Sequence, residues 1–155
     1  MNLRAFCLTC FTKQALNMTR EEAQPAWEKI VDTACSNYHL LTPEQRIWFS
    51  VEPLTTGGIT DHYVNSLAEY NQETITDLQT LGFPDIAEML IKVNGLFKNS
   101  IPPTDIDERN DELCNLKDED KVLLDDIEER FWRRSNELEH ALLEFINKTG
   151  IGNVD

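Results

Sequence analysis

Apolar residues recur every three or four positions through most of this chain, between short segments that start and stop helices. Segment 42–45 shows this best, because it supplies a threonine N-cap, a proline at the first helical position and a glutamine at the third. The apolar face behind it consists of Ile47, Trp48, Val51 and Leu54. The sequence shows neither strand–helix alternation nor an internal repeat. This pattern predicts an all-α fold, a compact single-domain bundle of roughly six to eight helices.

The same signals predict where individual helices begin and end. Thr19 and Glu22 are spaced as a capping box, so the first helix should begin there. Asn71 is predicted to cap a helix that ends at Gly82, and Gly150 should end the last helix.

The domain boundaries follow from these ends. Residues 104–116 are polar and predict an irregular or short helical connection. Residues 118–148 predict two helices, because residues 136–139 resemble an N-terminal cap that begins at Asn136. We therefore expect a helical domain over residues 19–150. A poorly ordered N-terminal extension should precede it over residues 1–18, and a C-terminal tail should follow it over residues 151–155.

Gly57 and Gly58 stand together inside this helical pattern. A glycine pair in a helix interior costs about 2 kcal/mol relative to alanine, so ordinary helix packing does not explain it. The pair predicts a close approach of the backbone, a positive φ or a sharp junction between two helices. Tyr63 and Asn65 would line a groove beside the glycines. We favour the other interpretation, in which Tyr63 packs in the core and Asn65 bonds to the local backbone.

The chain has 155 residues and a net charge of −14, which limits its partners. Phosphate binding requires a surplus of Lys and Arg, so we expect no direct binding to nucleic acid, and likewise none to an anionic membrane. The charge suits a basic partner or a cation, or serves solubility alone. No apolar run reaches the roughly 20 residues of a membrane span, and the N-terminus lacks the pattern of a signal peptide. A cytoplasmic protein is therefore expected.

Twelve acids lie within residues 105–129, where three bases oppose them, so this window carries −9 of the total charge. The acids are Asp105, Asp107, Glu108, Asp111, Glu112, Asp118, Glu119, Asp120, Asp125, Asp126, Glu128 and Glu129. The bases are Arg109, Lys117 and Lys121. A solvated face, or acids at the positive end of a helix, would explain part of the run. The functional interpretation is a negative, phosphate-like surface presented to a basic cleft, and we predict this acidic face as the partner-binding site.

Candidate catalytic groups are few. No G-x-S-x-G, H-E-x-x-H or glycine-rich phosphate loop is present in the sequence. His62 follows Asp61, but adjacent helical residues point in different directions and do not form a dyad. The sequence therefore predicts no catalytic residue and no cofactor. A ligand-binding or enzymatic groove near Gly57, Gly58, Tyr63 and Asn65 is the alternative function.

Cys7 and Cys10 have the C-x-x-C spacing of a zinc or redox site. A second such pair is missing, although Cys35 and His39 would complete a tetrahedral set. A redox C-x-x-C normally opens a helix after a strand, and no strand is predicted before it. We therefore predict no metal site and leave metal binding at the cysteine pair as the alternative.

A longer series of residues resembles a known family. It consists of 41–46, the helix 48–54, Gly57-Gly58-Ile59, Tyr63-Val64-Asn65-Ser66, Glu73-Thr74, Leu78 and Leu81-Gly82, with 123–131 and 138–146 near the C-terminus. The series resembles a bacterial all-helical domain family whose best-known member is an acidic DNA-mimic protein, and the resemblance covers about residues 38–148. Thr56, Ile59 and Asp61 depart from the residues that the family commonly has.

The resemblance implies a compact α fold and allows a homodimer. The mimic member occupies the DNA-binding surface of a transcription regulator. We therefore interpret the chain as a non-enzymatic interaction protein whose acidic face engages a basic protein surface, such as that of a DNA-binding regulator.

Overall fold

The computed structural model describes residues 18–153 as seven α-helices, and within that range it contains no β-strand. The helices are α1 (Arg20–Asn37), α2 (Pro43–Val64), α3 (Asn71–Leu81), α4 (Pro84–Asn94), α5 (Ile106–Cys114), α6 (Asp118–Trp132) and α7 (Ser135–Thr149). Short 3-10 turns lie at Tyr38–Leu40, Ser66–Tyr70 and Lys98–Ser100. The prediction of an all-α bundle of six to eight helices is confirmed.

α2 is the central helix of the bundle, because α1, α3, α5, α6 and α7 all pack on it. α4 packs mainly on α3 and α6, and it meets α2 through the Tyr63 hydroxyl. Fully buried side chains from several helices meet in one core, among them Leu54, Ile59, Leu90, Phe131 and Leu138. The position of α5 and α6, which carry the acidic window, is therefore set by how each meets α2.

Two predicted capping boxes and the predicted glycine end of α3 are present where the sequence places them. Thr19 and Glu22 form a reciprocal capping box at the start of α1, and Thr42 and Gln45 form another at the start of α2. Gly82 ends α3 in the left-handed conformation, with φ 95°. The local sequence therefore determines these helix ends without help from distant residues.

Two predicted helix starts are wrong. Asn71 does not cap α3; it is the first residue of that helix, and its buried side chain bonds to residues of other elements. α7 begins at Ser135, one residue before the predicted cap at Asn136. In the first case the side chain forms two hydrogen bonds to residues distant in sequence instead of a local cap, which a sequence pattern cannot anticipate.

Most of the predicted N-terminal extension, residues 1–17, lies outside the described residues, as do residues 154–155 of the tail. Met18 is tied to the domain, since its backbone nitrogen donates to Asn147 Oδ1 over 2.7 Å. Gly152 is buried against Met18 and Ile146. No helix in the described part of the chain is both long and apolar enough to cross a membrane.

Candidate acidic interaction surface

Gly58 divides α2 into two helical segments. Its φ of 79° and ψ of −172° are non-helical and belong to a region that only glycine occupies readily. The chain resumes a helical path at Ile59 and continues to Val64. The predicted positive φ and sharp junction at the glycine pair are both confirmed.

Glu128 of α6 caps the second segment of α2. Its Oε2 accepts hydrogen bonds from the Thr60 backbone nitrogen over 2.7 Å and from the Thr60 hydroxyl over 2.9 Å. A Cβ at Gly58 would collide with Glu128 Oε1 and would lie 2.8 Å from Cζ2 of Trp132. The missing side chain therefore lets α6 approach α2, and the carboxylate satisfies the positive end of the restarted helix.

Arg109 fixes α5 against the C-terminal end of α2. Its side chain is fully buried, and Nε and Nη2 each donate over 2.6 Å, to the carbonyl oxygens of Tyr63 and Asn65 respectively. Nη1 donates to the carbonyl oxygens of Pro103 over 2.6 Å and Thr104 over 3.2 Å. A guanidinium suits this position because the end of a helix presents unpaired carbonyls and negative partial charge.

The interior position of Arg109 changes the charge balance of the acidic window. In the sequence Arg109 counts as one of three bases among the twelve acids. In the structure its guanidinium is buried and donates to backbone carbonyls, so it does not neutralise the surface acids. Burial lowers the pKa of Arg109, while Asp105 and Glu69 act to raise it. Of the three bases within residues 105–129, only Lys117 and Lys121 therefore remain on the surface, and Arg130 and Arg133 follow directly after the window.

Three of the twelve acids hold the fold together. Asp105 caps α5, with Oδ1 accepting from the backbone nitrogens of Asp107 and Glu108 over 3.0 Å each. Glu112 accepts from the Lys98 backbone nitrogen over 3.0 Å. Glu128 is the third, through Thr60. These carboxylates already accept backbone hydrogen bonds, so they are poorly placed to lead contact with a partner.

Four further acids lie beside cations of their own helix or its start. Glu129 pairs with Arg133, and Asp126 Oδ2 lies 3.9 Å from Arg130 Nη1. Asp118 and Glu119 lie 4.0 Å from Lys121 and Lys117 respectively. All of these pairs are exposed, so each is weak and can be exchanged for a partner's cation.

The remaining five acids have no ion-pair partner among residues 18–153. They are Asp107, Glu108 and Asp111 on α5 and Asp120 and Asp125 on α6. All except the half-buried Asp120 are exposed. Carboxylates in this state accept hydrogen bonds and ion pairs from lysine and arginine side chains. The structure thus divides the predicted site into structural, paired and unpaired acids, a division that the sequence does not reveal.

The residues of the alternative groove pack inside the protein or bond locally. Tyr63 is buried, and its hydroxyl donates to the Leu90 carbonyl oxygen over 2.8 Å. Asn65 donates through Nδ2 to the Asp61 carbonyl oxygen over 2.9 Å. Gly58 is buried, and Gly57 is half-buried with the Asp61 side chain over it. Gly57 and Gly58 therefore belong to the helix junction, whereas Tyr63 packs against α4 and Asn65 bonds locally at the end of α2.

A polar network lies behind Tyr63. Asn94 Oδ1 accepts from Asn71 Nδ2 over 2.6 Å and lies 2.6 Å from the Tyr63 hydroxyl, and Asn71 Oδ1 lies 3.2 Å from His62 Nε2. His62 is 2% exposed, and burial lowers its pKa to about 4, an effect to which the charge of Arg109 adds. His62 is therefore neutral at pH 7, with its proton placed to donate to Asn71.

A cleft opens beyond this network. It has a volume of about 210 Å³ and is lined by Asn71 and Asn94 together with Glu69, Glu73 and Ser100. None of the four residues of the predicted groove is part of its lining. The cleft is therefore separate from the groove that the glycine motif predicts.

The alternative metal site consists of Cys7 and Cys10 with Cys35 and His39. Cys7 and Cys10 lie outside the described residues, and Cys35 and His39 are both exposed. Within residues 18–153 no group of three or more His, Cys, Asp or Glu side chains is arranged to hold a metal ion.

The fold and the surface together define an acidic all-α protein with a bent central helix. Residues 39–149 match the model of the DMP19-like protein family, which is most of the 155-residue chain. The chain therefore belongs to the DMP19-like protein family, and the family resemblance that the sequence motifs indicate is confirmed. No curated protein and no solved structure matches the chain.

Proposed function

We propose that the protein is a non-enzymatic interaction protein of the DNA-mimic type. The exposed acids without an ion pair, which are Asp107, Glu108 and Asp111 on α5 and Asp125 on α6, together engage a basic protein surface, such as that of a DNA-binding regulator; we call these four acids the α5–α6 surface. The mechanism is electrostatic competition: the carboxylates occupy lysine and arginine side chains that would otherwise contact phosphates. The proposal places this contact in the cytoplasm.

The observation that carries the proposal is the set of exposed acids without an intramolecular cation. Asp107 and Asp111 lie four residues apart on α5, and Glu108 and Asp111 lie three apart. Like charges at these spacings repel by a few tenths of a kcal/mol per pair, and no ion pair within the described residues compensates. Membership of the DMP19-like family supports the same function.

A homodimer of this protein would form through surfaces other than the α5–α6 surface. Pairing two copies through their α5–α6 surfaces would oppose carboxylate to carboxylate, and like charges across an interface are costly. A homodimer would therefore leave this surface free for the basic partner.

Affinity capture from the native lysate at low salt, followed by salt-step elution, tests the function. A variant with four neutralised acids should lose the captured basic protein; it carries Asp107→Asn, Glu108→Gln, Asp111→Asn and Asp125→Asn. A matched control removes the same charge at exposed acids elsewhere; it carries Glu28→Gln, Asp32→Asn, Glu44→Gln and Glu88→Gln. Glu128 is left unchanged because it caps α2.

The control separates a local surface from net charge. If the four-acid variant loses binding and the control retains it, the contact lies on the α5–α6 surface. If both lose binding equally, only the overall charge matters and the proposed site is wrong. If no basic protein is retained by the unaltered chain, the proposed function is wrong.

A further inference from the structure

Val122 is an apolar side chain that the fold does not use. It lies one turn into α6 and is 68% exposed, whereas Leu124 and Ile127 of the same helix pack on the core. A β-branched residue is also a poorer helix former than the glutamates and lysines typical of exposed positions. Neither packing nor helix propensity therefore explains a valine at this site.

The surroundings of Val122 distinguish it from the isolated exposed apolar residues that occur on most proteins. Asp118 and Glu119 lie four and three residues before it, and Asp125 and Asp126 lie three and four residues after it. Residues at these spacings are neighbours on a helix surface. All five are exposed and form what we call the Val122 patch.

We propose that Val122 is the apolar centre of the partner contact on α6. The partner it fits is a basic protein surface with an apolar recess between its lysine or arginine side chains. This inference rests on the proposed function and adds a feature of the partner to it. Tight protein contacts commonly have a dry apolar centre inside a polar rim, and the Val122 patch has that arrangement.

Charge complementarity argues for this occupant and against a second copy of the chain. Lys121, Lys117 and Arg130 lie beside three of the four rim carboxylates, but these pairs are exposed and weak. Residues 118–126 hold five acids and one base, so two patches facing each other would still bring together a net charge of −4 from each copy. A basic partner neutralises the rim while it covers the valine. When it binds this chain, the partner therefore gains an apolar contact that the phosphate backbone of DNA does not provide.

The test measures the affinity of the basic protein eluted in the salt steps, at low and at high salt, for two variants. Val122→Ser removes the apolar side chain and has a similar helix propensity, so the fold should be kept. Leu40→Ser is the matched control, because Leu40 is 67% exposed and lies in the Tyr38–Leu40 turn, away from α6. Circular dichroism checks that both variants fold.

Val122→Ser should weaken binding about tenfold at both salt concentrations, since an apolar contact is not screened by ions. Leu40→Ser should bind like the unaltered protein, and Val122→Leu should restore most of the affinity. Unchanged binding by Val122→Ser overturns this inference and leaves the proposed function standing if the four-acid variant still fails to bind. Capture of only a second copy of the chain, or of no basic protein, overturns both.

Discussion

Glu128 of α6 lies directly against Gly58 of α2, and a side chain at residue 58 would collide with the Glu128 carboxylate. The carboxylate of Glu128 lies where a side chain at residue 58 would stand, and it accepts two hydrogen bonds from Thr60. The bend in α2 exposes backbone donors that need an acceptor, and α6 supplies it. One acid of the predicted partner site is therefore part of the framework that presents the others.

Replacing Gly58 should destabilise the protein much more than replacing another positive-φ glycine. Gly58→Ala introduces strain at φ 79° and displaces Glu128, so we expect a loss of about 3 kcal/mol or more in the free energy of unfolding. A Cβ added at Gly82 has no neighbouring atom within 4 Å, so Gly82→Ala should lower the free energy of unfolding by only about 1 to 2 kcal/mol. Urea denaturation measures both, and equal losses would contradict the close α2–α6 contact.

Glu128 and Asp125 should respond differently to truncation, although the sequence places both in one acidic run. Glu128→Ala removes the cap of the second α2 segment and should lower stability by about 1 kcal/mol. Asp125→Ala should change stability by less than about 0.5 kcal/mol, because Asp125 is exposed and has no ion pair within the described residues. The comparison fails if the two variants unfold at the same urea concentration.

Truncation of Arg109 should release α5 from the bundle. Arg109→Met keeps side-chain length but leaves the carbonyls of Tyr63, Asn65 and Pro103 without their donor, and a single buried unpaired polar group costs about 1 to 3 kcal/mol. We expect a loss of at least about 3 kcal/mol and faster amide hydrogen exchange in α5. Arg133→Met, which breaks an exposed pair, is the control and should have little effect. Unchanged exchange in α5 would show that Arg109 does not anchor it.

Stability should depend on the protonation of His62 in the acid range. The pKa of His62 is about 4 when folded and 6.5 in the reference state, so between these pH values the unfolded chain binds a proton that the folded protein does not. Its contribution to stability is therefore complete above about pH 6.5 and is lost as the pH falls towards 4, by at most about 1.4 kcal/mol per pH unit. In His62→Gln this part of the pH profile should flatten. If an NMR titration of the folded protein gave a midpoint near pH 6.5 for His62, the lowered pKa and its effect on stability would be disproved.

The sequence predicts the helices and their local ends well because the responsible residues are neighbours in the chain. The Thr19 and Thr42 capping boxes and the left-handed Gly82 depend on atoms within a few positions. Even the bend at Gly58 is visible locally, as a glycine pair whose cost in a helix needs a reason. Family membership is also predictable, since the ordered motifs indicate a family whose model matches residues 39–149.

The roles of polar residues are less predictable because they depend on which distant residues come together. Arg109 counts as a surface base in the sequence and is interior in the fold. Asn71 is of a residue type that commonly caps helices, but its side chain instead forms a hydrogen bond with Asn94. Glu128 differs from Asp125 only because α6 crosses α2 at Gly58. A sequence pattern gives the charge of the acidic window, whereas tertiary packing decides which of its acids are free.

The salt dependence of binding to the captured basic protein tests the central claim most directly. For the unaltered protein, affinity should fall roughly tenfold or more between about 50 and 200 mM salt, because exposed charge pairs are screened over about 10 Å at 0.1 M ionic strength. The variant neutralised at Asp107, Glu108, Asp111 and Asp125 should bind weakly with a much shallower slope. Equal affinity and equal slope for the two proteins would contradict an electrostatic contact through the α5–α6 surface.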